Sequence, residues 1–275
     1  MDINKIYYGD ALDLTCLLPD NFINLVCTSP PYCNSKSYGN GVNVLHPDHY
    51  NDWIIPIIKE INRSLTIDGS FILNINDKII KGVRHPYVFE LVCRIISETG
   101  MKLYDRYVWH KKSAMPTSGN RLNDRMEFIF HFIKSNKMKS NIDNIRVPYS
   151  KNTLTRYKSP VYYNEKIDEY GITSKGDRKM QTINSLGTKP TTVMTFHTAG
   201  ILKGGTAGKH PSPFHPELPE FFVKWLTDEN DIVLDPFVGG GTVPFVCKNN
   251  NRNYIGFELN KNYKKLIDEK LSILV

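Results

Sequence analysis

The stretch DIVLDPFVGGGTVPFVCKNNNRNYIGFELN, residues 231–260, is the part of the sequence that decides the predicted fold. A short apolar run at 232–234 ends in Asp235, and a run of three glycines then leads into a helical pattern. A second apolar run at 254–257 ends in Glu258. This order of strand, glycine turn, helix and strand is typical of two parallel strands joined by a crossover helix.

The same stretch predicts a ligand site at the ends of these two strands. Glycines let a ligand approach the backbone closely, and the first turn of the helix presents unpaired N–H groups to an anion. Glu258 follows the first glycine by roughly 20 residues, a spacing at which an acid can hold ribose hydroxyls. The pattern fits NAD, FAD or S-adenosylmethionine, but it lacks the G-x-G-x-x-G spacing of the dinucleotide fingerprint, which argues against the first two. A purely structural glycine turn is disfavoured because an acid ends both strands.

The rest of the chain alternates short apolar runs with helical patterns, which predicts an α/β fold with a mostly parallel sheet. The further predicted strands are residues 5–8, 23–27, 70–75, 106–110 and 127–133. The predicted helices are residues 50–65, 86–99, 217–227 and 261–273, with one more beginning near Thr242. Within the first of these helices, Pro56 is expected in the first turn or at a kink.

Charge is concentrated in one part of the chain. The 275 residues carry a net charge of +7, and residues 134–209 hold 14 Lys and Arg against 5 Asp and Glu, so the remainder is close to neutral. A basic segment on a near-neutral body indicates a polyanionic partner, although a solvated loop would have the same composition. Residues 136–208 also lack periodicity over a length that is unusual for a connection, so we expect them to be functional or disordered.

Neither a membrane segment nor a metal site is indicated by the sequence. No stretch approaches the ~20 apolar residues of a membrane helix, and the N-terminus lacks the pattern of a signal peptide. The five cysteines form no metal-binding spacing, and we expect all five to be reduced and buried in a cytoplasmic protein.

A second motif follows an earlier apolar run, within NLVCTSPPYCNS at residues 24–35. Pro30 has no N–H and offers only its carbonyl oxygen, whose direction Pro31 restricts. Ser29 adds a second hydrogen-bond acceptor, and Tyr32 adds a flat face on which a base can stack. Two converging acceptors suit an –NH₂ group whose lone pair attacks an electrophile. The alternative is a simple Ser-Pro-Pro turn, and the glycine loop elsewhere in the chain favours the site.

These motifs resemble those of the beta group of DNA amino-methyltransferases, in which the catalytic half precedes the half that binds S-adenosylmethionine. The resemblance covers nearly the whole chain outside residues 136–208. It rests on YGDAL (8–12), TSPPY (28–32), VWHKKSAMPTSGNRLNDRMEFIFHFIK (108–134), KHPSPFHPELP (209–219), DPFVGGGT (235–242) and FELN (257–260). In this family Ser before Pro-Pro-Tyr is associated with methylation at N4 of cytosine, and Asp in that place with N6 of adenine.

The resemblance implies a role for individual residues. The implied catalytic residues are Ser29, Pro30, Pro31 and Tyr32. The residues implied to hold the cofactor S-adenosylmethionine are Asp10, Ala11, Thr28, Pro213, Phe214, Asp235, Pro236, Phe237, Gly239, Gly241, Thr242, Glu258 and Leu259. The residues expected to contact double-stranded DNA are Lys111, Arg121, Lys151, Arg156 and Lys158.

We therefore predict a site-specific DNA methyltransferase that modifies N4 of a flipped cytosine. The fold implied is a Rossmann-like, doubly wound class I methyltransferase with permuted motif order: a catalytic half at 1–135, a target-recognition insertion at 136–208 and a cofactor half at 209–275. The alternatives are an N6-adenine enzyme of the same group, an RNA or protein amino-methyltransferase, and a non-catalytic DNA-binding module. RNA and protein enzymes of this kind usually carry the cofactor motif first, and a decayed module would have lost Ser29, Asp235 or Glu258.

The resemblance also implies a setting for the protein. We expect a monomer or homodimer in the cytoplasm of a bacterium, or encoded by a phage, associated with the nucleoid and not with a membrane. A restriction–modification system is the expected context, with a cognate endonuclease that forms no stable complex with this chain.

Overall fold

The computed structural model describes residues 1–33, 45–112, 120–158, 182–196 and 215–273, together with four two-residue strands between 161 and 179. The chain forms two compact units, one made of Met1–Asn141 with Thr192–Val275 and the other of Ile142–Thr191. The strands are β1 (Lys5–Tyr8), β2 (Ile23–Thr28), β3 (Leu65–Ile75), β4 (Lys78–Ile80), β5 (Val83–His85), β6 (Lys102–Lys111), β7 (Met126–Ile133), β8 (Val161–Tyr162), β9 (Lys166–Ile167), β10 (Thr173–Ser174), β11 (Arg178–Lys179), β12 (Val193–Phe196), β13 (Ile232–Asp235) and β14 (Asn253–Glu258). The α-helices are α1 (Ala11–Cys16), α2 (Pro47–Ser64), α3 (Tyr87–Thr99), α4 (Lys151–Tyr157), α5 (Glu217–Leu226), α6 (Thr242–Asn249) and α7 (Lys264–Ser272).

Eight strands of the larger unit form one sheet in the order β1-β14-β13-β2-β3-β7-β6-β12. Every neighbouring pair is parallel except the two pairs that β7 makes, with β3 and with β6. The predicted α/β class with a mostly parallel sheet is therefore confirmed. Its core contains the buried faces of α2 and α3 packed with apolar strand residues such as Phe71, Leu73, Phe130 and Phe132.

All seven predicted strands are present, most of them longer than predicted. Two strands have the largest extensions: β3 begins five residues before the predicted start, at Leu65, and β6 begins four residues before its predicted start, at Lys102. The placement of Pro56 in a first turn is wrong, because α2 begins at Pro47 and Pro56 lies inside the helix. Proline is tolerated at the first helical position because an N–H there would have no partner within the helix. Helix α2 can therefore begin at Pro47, three residues before the predicted start.

The structure contains elements that the sequence did not predict. Helix α1 is six residues long, and the Asp10 side chain caps it by accepting from the backbone N–H of Leu12 at 2.8 Å. Strand β12 lies within the segment predicted to be irregular and pairs in parallel with β6 at the sheet edge. The predicted helix at 261–273 is split into a 3₁₀ turn, Lys261–Tyr263, followed by α7.

Cysteine burial differs from the prediction. Cys27, Cys33 and Cys247 are buried, but Cys16 and Cys93 are exposed, so the expectation of five buried cysteines is wrong for these two. Across the residues that the structure describes, no group of His, Cys, Asp and Glu side chains could hold a metal ion. Within the same residues, no helix has both the length and the apolar character needed to cross a membrane.

The smaller unit, Ile142–Thr191, has its own short elements. Helix α4 is capped by Ser150, whose hydroxyl accepts from the N–H of Thr153 at 3.1 Å. Arg146 ties two parts of the unit together by donating to Asp143 at 2.6 Å and to the carbonyl of Gly187 at 2.9 Å. The four two-residue strands form two antiparallel pairs, β8 with β11 and β9 with β10.

The fold brings distant segments of the larger unit to one edge of its sheet. Because β1, β14, β13, β2 and β3 are parallel, their carboxyl ends meet there, at the edge where ligands bind in open α/β sheets. In the register, Tyr8 of β1 lies opposite Glu258, and Gly256 lies opposite Asp235.

Candidate active site

Asp235 ends strand β13 and joins the two predicted halves of the site. Its Oδ1 accepts a 2.6 Å hydrogen bond from the hydroxyl of Thr28 and a 3.1 Å bond from the backbone N–H of Phe237. Burial raises the pKa of Asp235 to about 7, the two hydrogen bonds oppose the rise, and the charge of Glu258 adds to it. The Thr28–Asp235 bond places the end of β2, and with it the Ser-Pro-Pro-Tyr motif, beside the glycine loop.

The glycine loop connects β13 to α6. Gly239 and Gly241 have φ of 52° and 79°, a left-handed conformation that glycine adopts without strain. Gly241 is the residue before the helix, and α6 begins at Thr242 without a side-chain cap. The amide groups of the first turn therefore point out of the helix end with no side chain of the cap residue bound to them. Pro236 is buried and Phe237 half-buried, and the Phe237 ring lies 5.7 Å from that of Trp53.

Glu258 ends strand β14 and is hydrogen-bonded to the backbone of the glycine loop. Its Oε2 accepts from the N–H of Gly239 at 2.8 Å, and its Oε1 accepts from the N–H of Asn260 at 2.8 Å. Burial raises the pKa of Glu258, and these two backbone donors oppose the rise. Each carboxylate oxygen can accept a further hydrogen bond, so the predicted contact with ribose hydroxyls is compatible with this geometry.

The remaining predicted cofactor residues fall in three places. Asp10 and Ala11 lie at the start of α1, next to Gly9, whose N–H donates to the carbonyl of Glu258 at 3.0 Å. Leu259 follows β14 and is exposed. Pro213 and Phe214 lie outside the residues that the structure describes.

The Ser-Pro-Pro-Tyr motif begins immediately after β2. The Ser29 hydroxyl donates to the hydroxyl of Tyr32 at 3.2 Å, and Tyr32 donates in turn to Oε2 of Glu127 at 2.8 Å. Pro30 is buried, and Ser29, Pro31 and Tyr32 are half-buried. The motif is thus tied to strand β7, which carries Glu127.

The sequence reasoning missed two polar residues beside this motif. Asn74 is near the end of β3, and its side-chain N–H₂ donates to Tyr32 at 3.0 Å and to Glu127 at 2.8 Å. Glu127 is hydrogen-bonded to Asn74 and Tyr32 and is buried in strand β7, whose other residues are apolar except His131. The signal that could have revealed Glu127 is the single acid in the apolar run MEFIFHFI at Met126–Ile133.

The predicted DNA-contacting residues belong to both compact units, Lys111 and Arg121 to the larger one and the other three to the smaller one. The ammonium group of Lys111 pairs with Glu127 and lies 5.3 Å from the centre of the Trp109 ring. Arg121 donates to the carbonyl of Gly82. The other three, Lys151, Arg156 and Lys158, are exposed on and directly after α4 of the smaller unit.

Comparison with known proteins identifies the family. Residues 23–269 match the family described as DNA methylase. The chain belongs to the DNA methylase family. The predicted family and the predicted enzyme class are both confirmed, and the DNA methylase acts on DNA by transferring a methyl group.

Several relatives span most of this DNA methylase. It is 31% identical to the type II methyltransferase M.PvuII of Proteus hauseri over 276 residues, which cover 94% of this chain and 81% of the relative. It is 30% identical to the type II methyltransferase M.BglII of Bacillus subtilis, over 98% of this chain and 69% of the relative.

Solved structures agree with the fold. The PvuII DNA methyltransferase (cytosine-N4-specific) superposes with a TM-score of 0.75 and 26% identity, over 98% of this chain and 86% of that one. The Thermus thermophilus protein TTHA0409, solved in complex with S-adenosyl-L-methionine, superposes with a TM-score of 0.63 over 97% of this chain and 94% of that one. At 20% identity the second structure supports the fold alone.

Proposed function

We propose that this DNA methylase transfers a methyl group from S-adenosylmethionine to N4 of a cytosine in duplex DNA. The observation that carries the proposal is the 2.6 Å hydrogen bond from Thr28 to Asp235, which holds Ser-Pro-Pro-Tyr beside the glycine loop. Serine as the first residue of that motif, and the similarity to a methyltransferase described as cytosine-N4-specific, support N4 of cytosine as the methylated atom.

The residues at the sheet edge fit S-adenosylmethionine chemically. The first turn of α6 has no side-chain cap and presents backbone N–H groups, and Asp235 and Glu258 supply carboxylates for the amino group of the methionine part and for the ribose hydroxyls. The half-buried ring of Phe237 offers an apolar face beside the loop. When bound, S-adenosylmethionine supplies a methyl group on a positively charged sulfur, which is a good leaving group.

The Ser-Pro-Pro-Tyr motif orients the amine that receives the methyl group. Ser29 and the Pro30 carbonyl accept hydrogen bonds from the two amine hydrogens and so turn the nitrogen lone pair toward the methyl donor. As the nitrogen gains positive charge in the transition state, the same two oxygens stabilise it, and the methylated amine then loses one of its hydrogens to solvent as a proton. The cytosine must leave the base stack to reach this pocket, at the expense of a few kcal/mol, and the Tyr32 ring provides a surface for it to stack on.

Exposed basic residues on the smaller unit support the same function. Exposed cations at Lys151, Arg156 and Lys158 suit phosphate oxygens, and the unit Ile142–Thr191 is the part that we propose reads the target sequence. A role in a restriction–modification system, without a stable complex with the endonuclease, and a monomeric or homodimeric state complete the proposal.

The substitution Ser29→Ala tests the proposed catalytic site. We expect the single-turnover rate of methyl transfer to fall by about 10- to 100-fold, since one hydrogen-bond acceptor for the reacting amine is lost. Affinity for S-adenosylmethionine, measured by calorimetric titration without DNA, should stay close to that of the wild type. A variant that transfers methyl groups at the wild-type rate would remove Ser29 from the mechanism.

A further inference from the structure

A buried polar cluster underlies the Ser-Pro-Pro-Tyr motif. It joins Tyr32 to Asn74 of β3, to Glu127 of β7 and, through Glu127, to Lys111 of β6. Asn74 is 1% exposed and Glu127 is 8% exposed. A carboxylate that is buried to this extent is stable only when it is paired and hydrogen-bonded, and here both of its oxygens are engaged.

The chemistry of the groups fixes the direction of each hydrogen bond. An ionised carboxylate can only accept, so the Tyr32 hydroxyl donates its hydrogen to Glu127 at 2.8 Å. The amide N–H₂ of Asn74 donates both to Glu127 and to the Tyr32 oxygen, at 2.8 and 3.0 Å. With its own hydrogen given away, the Tyr32 oxygen accepts from Ser29 at 3.2 Å.

We propose that Glu127 and Asn74 are positioning residues that make Ser29 an obligatory hydrogen-bond acceptor. The Ser29 hydrogen is committed to Tyr32, so its oxygen presents only lone pairs toward the target amine. This inference rests on the proposed function, because it assigns a cause to the acceptor role of Ser29 in methyl transfer. A free serine hydroxyl could turn its hydrogen toward the amine nitrogen and block the lone pair that must attack.

The surroundings of the cluster favour the direction in which Ser29 donates to Tyr32 and Tyr32 donates to Glu127. Burial raises the pKa of Tyr32 well above its ordinary value, and the charge of Glu127 raises it further, so the phenol keeps its hydrogen. Lys111 balances the charge of Glu127 from the opposite oxygen. Lys111 therefore has a partner inside the protein.

A double-mutant cycle on the purified full-length protein tests this positioning role. The variants are Glu127→Gln, Tyr32→Phe and both together, assayed by single-turnover methyl transfer at saturating duplex DNA and S-adenosylmethionine. We expect each single variant to lower the rate by about 10-fold or more, since a hydrogen bond to a charged group is lost, with cofactor affinity unchanged. The double variant should be no slower than Tyr32→Phe, because Glu127 reaches Ser29 only through the Tyr32 hydroxyl.

The matched control is Tyr107→Phe, which removes another buried tyrosine hydroxyl, 3.2 Å from His131. It should transfer methyl groups at the wild-type rate even where its melting temperature falls as far as that of Tyr32→Phe. Wild-type rates for Glu127→Gln and Tyr32→Phe beside a slow Ser29→Ala would overturn the positioning role and leave the proposed function standing. Single-variant losses that multiply in the double variant would also overturn it, because they would show independent effects. A fast Ser29→Ala would remove Ser29 from the mechanism and would overturn its positioning by Glu127 and Asn74 as well.

Discussion

At the scale of single residues, Asp235 holds the backbone of the site by hydrogen bonds and has a raised pKa. One of its oxygens holds both the Thr28 hydroxyl and the N–H of Phe237, so the carboxyl group fixes the start of the glycine loop. Burial raises its pKa to about 7, so near neutral pH the group is partly protonated in the ligand-free protein. A cationic ligand group beside it would favour the charged form and bring the pKa down again.

The raised pKa predicts a pH-dependent effect of Asp235→Asn on stability. In the unfolded chain the group ionises near 3.8, whereas in the folded protein it ionises near 7, so the folded state binds the extra proton between these values. The wild-type free energy of unfolding therefore falls as pH rises through this window, by about 2–3 kcal/mol between pH 5 and pH 8. Asparagine keeps one acceptor oxygen and carries no charge, so the variant should lack this decline. Urea unfolding at the two pH values measures the difference.

The matched control is Asp228→Asn, in the turn before the same strand. Asp228 pairs with Lys139 at 2.9 Å, and hydrogen bonding to Lys139 lowers its pKa. Its charged form is therefore the favoured one, and its loss should not stabilise the protein at pH 8. A constant difference between wild type and Asp235→Asn from pH 5 to pH 8 would show that Asp235 is charged throughout this range.

At the scale of elements, the close approach of β14 to the glycine loop depends on Gly256. This residue lies between β1 and β13 in the sheet, and Val238 of the loop is held over β14 by a 2.9 Å bond from its N–H to the carbonyl of Phe257. A Cβ atom at position 256 would overlap with side-chain atoms of Val238 and Ile6. The missing side chain therefore lets the loop rest directly on the strand.

The substitution Gly256→Ala should destabilise the protein by about 1–3 kcal/mol, the usual effect of overpacking a core. It should also weaken S-adenosylmethionine binding, because the alanine methyl group displaces Val238 and with it the loop. Denaturant unfolding and calorimetric titration measure the two effects. Adding Ile6→Val, which removes one of the overlapping atoms, should recover part of the stability and little of the affinity. An unchanged free energy of unfolding in Gly256→Ala would show that the loop moves away freely.

Apolar runs in the sequence predict most strands of the sheet, whereas the unpredicted strand β12 depends on pairing with a neighbouring strand. Strands β2, β13 and β14 are continuous buried runs, so their positions follow from the sequence alone. Strand β12 alternates exposed and buried residues over only four positions and exists because β6 pairs with it. Asn74 and Glu127 are 53 positions apart, and only the sheet order places β3 beside β7.

At the scale of the whole molecule, two motifs that are far apart in the sequence form one site in the fold. The Ser-Pro-Pro-Tyr motif comes first and the glycine loop late, yet Thr28 and Asp235, 207 positions apart, are in direct contact. The neighbouring parallel strands β2 and β13 make this possible, since both end at the same edge. The site motifs were predictable because each is a compact sequence pattern, whereas the basic residues follow no such pattern.

The central claim, methylation at N4 of cytosine, is tested most directly by base-resolved mapping of modified nucleotides in host DNA. The host should lack other DNA methyltransferases and express either this chain or its Ser29→Ala variant. We expect N4-methylcytosine at one position of a short recurring sequence in the first case, and a lower methylated fraction at the same position in the second. N6-methyladenine in that recurring sequence, or unmodified DNA from cells that contain the folded wild-type protein, would contradict it.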